Sequence, residues 1–196
     1  MNICVFCGSS MGFDKSYRKF AHDLADYLAA HDLGLVYGGA NVGLMKVLAD
    51  RMLEKGKPVI GIMPARLVRK EVAHQALTEM IIVDTMAERK ERMVALSDAF
   101  VALPGGFGTL DELSEIMTFN QLRICDKPMG ILNVKGFFDH LLRFFDHAVD
   151  QGFIRKEHRD NLVVSQEIDT LFQRMNAYKP LMTGKWIKDI KIESNP

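Results

Sequence analysis

The chain has 196 residues, 48% hydrophobic and 26% charged, enough apolar material for one sizeable packed domain. Its 25 basic and 25 acidic side chains cancel, which excludes a whole-molecule electrostatic pull toward nucleic acid or an anionic membrane. No apolar run approaches the ~18 residues of a membrane span, and three cysteines are too few for a disulfide framework.

In chain order, Asn2–Cys7 (NICVFC) reads as a buried strand. The N-terminus, Met1 to Cys7, lacks a basic n-region and passes directly into this strand, so no secretory signal is expected and the expected location is cytoplasmic. Cys4 and Cys7 form a C-x-x-C, but on a strand positions three apart face opposite sides. No second pair completes a zinc site, and two buried structural thiols are expected. The next apolar runs are Gly34–Tyr37, Pro58–Met63, Met80–Val83, Ala99–Leu103, Met129–Leu132 and Leu162–Val164. Between them lie helical patterns over Tyr17–Ala30, Val42–Lys55, Ala87–Leu96, Leu110–Leu122, Phe137–Gln151 and Ile168–Asn176. The strand runs are nearly continuous rather than alternating, as in a sheet buried on both faces. Strand and helix in regular alternation predict an α/β, doubly wound parallel sheet of about seven strands with helices on both faces. One domain is expected over residues 1–180, followed by a polar C-terminal tail, 181–196.

In such a sheet ligands sit at the carboxyl ends of the strands. Three glycine clusters fall at that edge: Gly8-Ser9-Ser10, Gly38-Gly39-Ala40-Asn41-Val42-Gly43, and Gly105-Gly106-Phe107-Gly108-Thr109. The third is the most informative, because the strand Ala99–Leu103 runs straight into Pro104-Gly105-Gly106-Phe107-Gly108-Thr109-Leu110-Asp111-Glu112. Its glycines are expected to turn with φ > 0 and to leave no Cβ between the amides and a ligand. Several N–H groups then converge on a phosphate at the start of a helix that Thr109 opens. Glu112 places a carboxylate beside that cradle, which suits an enzyme acting next to a phosphate better than a simple phosphate binder. Thr109-Leu110-Asp111-Glu112 also matches a capping box, in which Glu112 would only bond the Thr109 amide.

The second cluster only approximates G-x-G-x-x-G. The following strand ends at Pro64-Ala65-Arg66, without the carboxylate of a dinucleotide fingerprint, so NAD is not expected. Glu88-Arg89-Lys90-Glu91-Arg92 reads by itself as a solvated, mixed-charge helix face with pairs such as Glu88–Arg92. The six histidines are scattered, and no metal site is expected. Phe137, Phe138, Phe144 and Phe145 read as core or dimer surface rather than a stacking platform for a base.

Met86-Ala87-Glu88-Arg89-Lys90, followed sixteen residues after Arg89 by Gly105 of the glycine motif, resembles the paired signature of the Lonely Guy (LOG) family. Cys7-Gly8-Ser9-Ser10, Tyr37-Gly38-Gly39 with Gly43-Leu44-Met45, and Asp126-Lys127-Pro128 resemble it at matching spacing, over residues 2–180. The family comprises cytokinin riboside 5′-monophosphate phosphoribohydrolases, long mislabelled as lysine decarboxylases. The resemblance implies a Rossmann-like homodimer that hydrolyses the N-glycosidic bond of a purine nucleoside 5′-monophosphate, such as a cytokinin nucleotide or AMP. It implies no cofactor.

Arg89 and Glu112 would be the catalytic pair. Substrate contacts would come from Glu71, Lys90, Gly105, Gly106, Phe107, Gly108, Thr109, Leu110, Asp111 and Thr118, with Gly8, Ser9 and Gly39 from the other glycine clusters. Glu71 reads equally as part of a polar connection. The sequence departs from the family at Ala87, often His, at Ala40, often a third Gly, and at Asp111, often Glu. These departures bear on substrate preference more than on the chemistry. The lysine decarboxylase label would require a Schiff-base lysine holding pyridoxal phosphate, and no lysine stands in an obvious apolar pocket. A rival reading is a nucleotide or molybdenum-cofactor carrier without turnover. The joint presence of Arg89 and Glu112 speaks against it.

Overall fold

The run NICVF forms β1 (Asn2–Phe6), and four of its five side chains are buried. The remaining runs join it in one parallel sheet: β2 (Gly34–Tyr37), β3 (Val59–Pro64), β4 (Glu79–Val83), β5 (Ala99–Ala102), β6 (Met129–Leu132) and β7 (Val163–Ser165). The computed structural model describes residues 1–68 and 72–180. Glu71 and the expected polar tail lie outside the described residues. Among the described residues the sheet has seven strands in the order β4-β3-β2-β1-β5-β6-β7. The chain therefore winds outward from β1 to β4, returns to lay β5 against β1, and winds outward again. At that reversal the connections after β1 and β5 diverge to opposite faces, and a crevice opens between them.

The two faces of β1 show how the layers are built. Ile3, Val5 and Cys7 join a core with α1 (Lys15–Ala30), α2 (Gly43–Glu54) and α8 (Ile168–Asn176). Cys4 and Phe6 point the other way, into a core with α4 (Met86–Ala95), α5 (Phe107–Leu122) and α6 (Asp139–Asp150). The C-x-x-C is thus split across the sheet as two buried free thiols. Burial pushes both thiols well above their ordinary titration range, with the Glu112 carboxylate adding to the rise.

Departures from the expected elements have local causes. The edge strand β4 is largely uncovered, with Ile82 exposed, although its sequence is as apolar as that of the central strands. The short helices α3 (Ala65–Val68) and α7 (Lys156–Asp160), and a single 3-10 turn at Val134–Gly136, span too few residues for a helical period to register. Asp14 caps α1, its side chain accepting from Ser16 N–H, so that helix begins at Lys15, earlier than Tyr17. Of the four clustered phenylalanines, Phe138 and Phe145 are core, while Phe137 and Phe144 are exposed.

Gly43, the first residue of α2, holds the second glycine loop against the first. Its φ is +57°, and a Cβ there would run into the Ser9–Ser10 peptide. Leu44 N–H then donates to Gly8 O at 3.0 Å. Gly56, at φ +66°, has open space where its Cβ would stand. Gly56→Ala should therefore cost only about 1–2 kcal/mol of left-handed strain. Gly43→Ala should cost distinctly more, because a backbone segment must move as well. Urea unfolding of the two variants checks the difference.

Candidate active site

The crevice at the β1–β5 reversal is a cleft of about 280 Å³, lined by residues 8–12 and 104–106 and closed by Tyr17, Leu44 and Phe137. Gly8 knits its floor. Gly8 N–H donates to Pro104 O at 3.0 Å, and a Cβ on Gly8 would press on Pro104 O and Gly105 Cα. Gly105 has no room for a side chain, because Thr109 occupies that space. At Gly106 and Gly108, by contrast, a Cβ would meet nothing within 4 Å. None of these three glycines has φ > 0, which corrects the expectation of left-handed turns in this motif. Their role is clearance for the chain at Gly105 and open approach to the backbone at Gly106 and Gly108.

The helix also begins earlier than Thr109. Gly106 is the N-cap of α5 and provides no side-chain cap, and the first intrahelical bond is Leu110 N–H to Gly106 O at 3.1 Å. The N–H groups of the first turn are therefore left to an outside acceptor, at the positive end of a 16-residue helix. Thr109, in that turn, is buried with its hydroxyl unpartnered. Such an end accommodates a phosphate.

Glu112 is not a capping acid. Its Oε1 accepts from Arg89 Nη1 at 2.9 Å, and both side chains are nearly buried, 11% and 12% exposed. Arg89 Nε donates in turn to Ile62 O of β3 at 3.0 Å, and the absent side chain of Gly38 makes room for the guanidinium. One T-x-x-E of the chain does cap a helix. Thr85 accepts from Glu88 N–H, and Glu88 Oε2 accepts from Asp84 N–H, at 3.0 Å each. Glu88 is thus directed to the start of α4, and among the described residues it forms no ion pair with Arg92. Lys90 pairs with Asp111 at 3.2 Å and with Glu115 at 3.1 Å. Burial raises the pKa of Glu112 above the ordinary glutamate value. Arg89 opposes that rise, Asp111 adds to it, and Lys90 reduces it.

The structure thus brings Gly8, Ser9, Gly105 and Gly106 together in the crevice wall, with Phe107, Gly108 and Thr109 following in the first turn of α5 and the Arg89–Glu112 and Lys90–Asp111 pairs joining α4 to that helix. Phe107 stands fully exposed at the mouth, whereas Leu110 packs on the core. Gly39, at φ +77°, packs against Met80 and Ile62. Thr118 lies on an exposed part of α5, donates to Ser114 O, and lines a separate cavity with Met117, Phe145 and His158. Just beyond Glu71, the chain is tethered to the second glycine loop by Asn41 N–H to Val72 O at 2.8 Å and His74 N–H to Gly39 O at 2.9 Å. Ala76 N–H donates to His74 Nδ1, which leaves Nε2–H to donate to Asp50 at 2.9 Å. Tyr17, Leu44 and Phe137 also line the cleft, a role the sequence does not give them: Phe137 reads there as core or dimer surface, Leu44 only as part of the Gly43-Leu44-Met45 match. Among the described residues no cluster of His, Cys, Asp and Glu could hold a metal ion, and no helix is long and apolar enough to cross a membrane.

The family model described as "Possible lysine decarboxylase" matches residues 45–175. The chain is 44% identical over 196 residues to the cytokinin riboside 5′-monophosphate phosphoribohydrolase LOG5 of Arabidopsis thaliana, covering 97% of this chain and 86% of that protein. This chain belongs to the Lonely Guy family. A probable member of the same activity class from Oryza sativa subsp. japonica, LOGL9, is 45% identical over 179 residues, covering 91% of this chain and 79% of that protein. The activity named for these LOG relatives makes the decarboxylase description a misnomer for the family. In fold, LOG-type architecture is shared with the molybdenum cofactor binding protein of Rippkaea orientalis, at a TM-score of 0.67 and 23% identity, over 90% of this chain and 95% of that one. The Moco carrier protein of Chlamydomonas reinhardtii gives a TM-score of 0.66 at 20% identity, over 90% and 95%. At such identities the likeness is one of fold.

Because Arg89 is the near neighbour that favours an ionised Glu112, Arg89→Met should push the Glu112 carboxyl higher still. A buried carboxyl with a folded pKa raised above its unfolded value contributes stability below the unfolded pKa and loses it as pH rises through the folded one. The melting deficit of Arg89→Met relative to wild type should therefore be small near pH 4 and should grow toward pH 8. Calorimetry across that range, with ¹³C-glutamate NMR for the midpoint, checks the sign.

Proposed function

We propose that this protein hydrolyses the N-glycosidic bond of a purine nucleoside 5′-monophosphate, releasing free base and ribose 5-phosphate. The observation that carries the reading is the uncapped N-terminus of α5 set beside the buried Arg89–Glu112 pair on one sheet edge. The activity named for the relatives supports it.

The first-turn N–H groups of α5, with Gly106 and Gly108 offering bare backbone, hold the 5′-phosphate. Fixing that end of the nucleotide places C1′ of the ribose, so that phosphate binding contributes to positioning. Cleavage builds positive charge on the sugar as the base departs. The Glu112 carboxylate stabilises that charge and orients a water, whose hydroxyl adds to C1′ while its proton is transferred onward and the departing base nitrogen is protonated. Arg89 keeps Glu112 ionised and adds positive charge for phosphate or ribose oxygens. Lys90 and Asp111 flank the pair as substrate contacts. Glu71, Thr118, Ser9 and Gly39 take the contact roles that the family resemblance implies, in a homodimer, within the cytoplasm.

A carrier that binds without turnover is the rival reading, with which the molybdenum cofactor proteins share the fold alone. Incubation of pure protein with a panel of nucleoside monophosphates, with free base measured chromatographically, separates the two. Base should appear from a purine nucleotide and far more slowly from the matching nucleoside. Equal rates would refute phosphate reading by α5, and binding without any base release would favour the carrier.

Glu112→Gln should retain the fold and nucleotide binding yet lose about 10²–10⁴-fold in turnover, the usual cost of removing a positioned acid or base. In wild type the acid limb of the rate profile should lie above the ordinary glutamate pKa, since burial raises Glu112 and the carboxylate is the working form. Turnover near the wild-type rate in Glu112→Gln would make the pair structural.

A further inference from the structure

Helix α4 carries Arg89 and Lys90, yet only Met93 of its ten residues is buried. With Val94 and the C-cap Leu96 only partly buried against the core beside Met93, apolar contact holds one stripe of α4, and polar anchors at its two ends complete its placement. At its start those anchors are Thr85, the Arg89 contacts to Ile62 O and Glu112, and the Lys90 pairs. At its end the carbonyls left over by the last turn are taken up by Ser97 Oγ, which donates to Met93 O at 2.7 Å, and by Lys127. Lys127 Nζ donates to Val94 O at 2.8 Å and to Ser97 O at 2.7 Å.

Lys127 is itself held from two sides. Asn120 of α5 brackets its backbone, Nδ2 donating to Lys127 O at 2.7 Å and Oδ1 accepting from Lys127 N–H at 3.2 Å. Pro128 O accepts from Phe100 N–H at 3.0 Å, which ties the same segment to the sheet. One ammonium thus joins the free end of α4 to α5 and to the β5–β6 pair, one end of each helix being clamped and the other carrying half of the Arg89–Glu112 pair.

We propose that Lys127, seated by Asn120, is a positioning residue that sets the placement of Arg89 against Glu112. The proposal rests on the hydrolase reading above for its rate consequences only. Without the ammonium the C-terminal end of α4 loses its tie, the guanidinium drifts, and the ion pair loosens, while both apolar cores stay intact. The charged and titratable groups facing Glu112 are Arg89 and Lys90 from α4, Asp111 on its own helix, and the Cys4 and Cys7 thiols of β1 and its end. A loosened Arg89 leaves the Glu112 carboxyl in the company of Asp111 and buried neighbours, so its titration midpoint rises.

The test compares wild type with Lys127→Met, Lys127→Arg and Asn120→Ala in full-length protein. The readouts are kcat and KM for base release from AMP, the melting temperature, and the Glu112 midpoint by ¹³C-glutamate NMR, with Glu112→Gln assigning the resonance. Lys127→Met and Asn120→Ala should each lose about 10–100-fold in kcat, the scale on which a small misplacement of a catalytic group acts. They should raise the Glu112 midpoint, and they should melt close to wild type. Lys127→Arg, which can still reach two carbonyls, should recover most of the rate and the midpoint. An unchanged midpoint in Lys127→Met and Asn120→Ala overturns the proposal, whether the rate is retained or falls only with the folded fraction. If Lys127→Met does not fold, Asn120→Ala decides by the same midpoint. Absence of base release from the wild type would count against the hydrolase reading alone, because the midpoint comparison needs no turnover.

Discussion

The guanidinium of Arg89 is where the architecture of this edge of the sheet converges. It spans from the Ile62 carbonyl on β3 to the Glu112 carboxylate on α5, and it passes over the bare backbone of Gly38 at the end of β2. Three separately formed elements must be in register for that to happen, and each supplies only one contact. Two nearly buried charges would be a liability apart, since removing one partner of such a pair typically costs about 3–5 kcal/mol. Arg89 offsets part of the burial that pushes the Glu112 carboxyl toward its protonated form. The same geometry therefore solves a folding problem and leaves a carboxyl group beside the surface a ligand would reach.

Most of the fold was legible in the sequence because the central strands are apolar without interruption. A strand buried on both faces has no solvent side to break the run, as Ile3 to Phe6 and Ala99 to Ala102 illustrate. The rule fails at β4, where an edge strand of equally apolar sequence is half uncovered. Composition reports what a strand tolerates, and sheet position decides what covers it.

The site was legible in outline and misread in detail. Thr85-x-x-Glu88 and Thr109-x-x-Glu112 are the same local pattern, yet only the first caps the start of a helix. What separates them is the partner of each glutamate: the backbone four residues away for Glu88, and a guanidinium 23 residues away for Glu112. No window of sequence contains that second partner. The glycine motif answers to a different constraint from the expected one. Gly105 is required by the bulk of Thr109, not by an unusual backbone angle, and such a requirement exists only after the loop has closed on the helix.

The glycines at this edge of the sheet divide into two populations with different evolutionary logic. Gly105 and Gly43 are enforced by neighbouring protein atoms, so any larger residue is felt even when no ligand is present. Gly106 and Gly108 face empty space and neither has a positive φ, so a methyl group at either position meets no protein atom. A library of variants sorted only for expression should leave the latter two free to vary, whereas sorting for ligand retention should fix them. The gap between the two sequence profiles would trace the outline of the bound molecule on the protein, position by position.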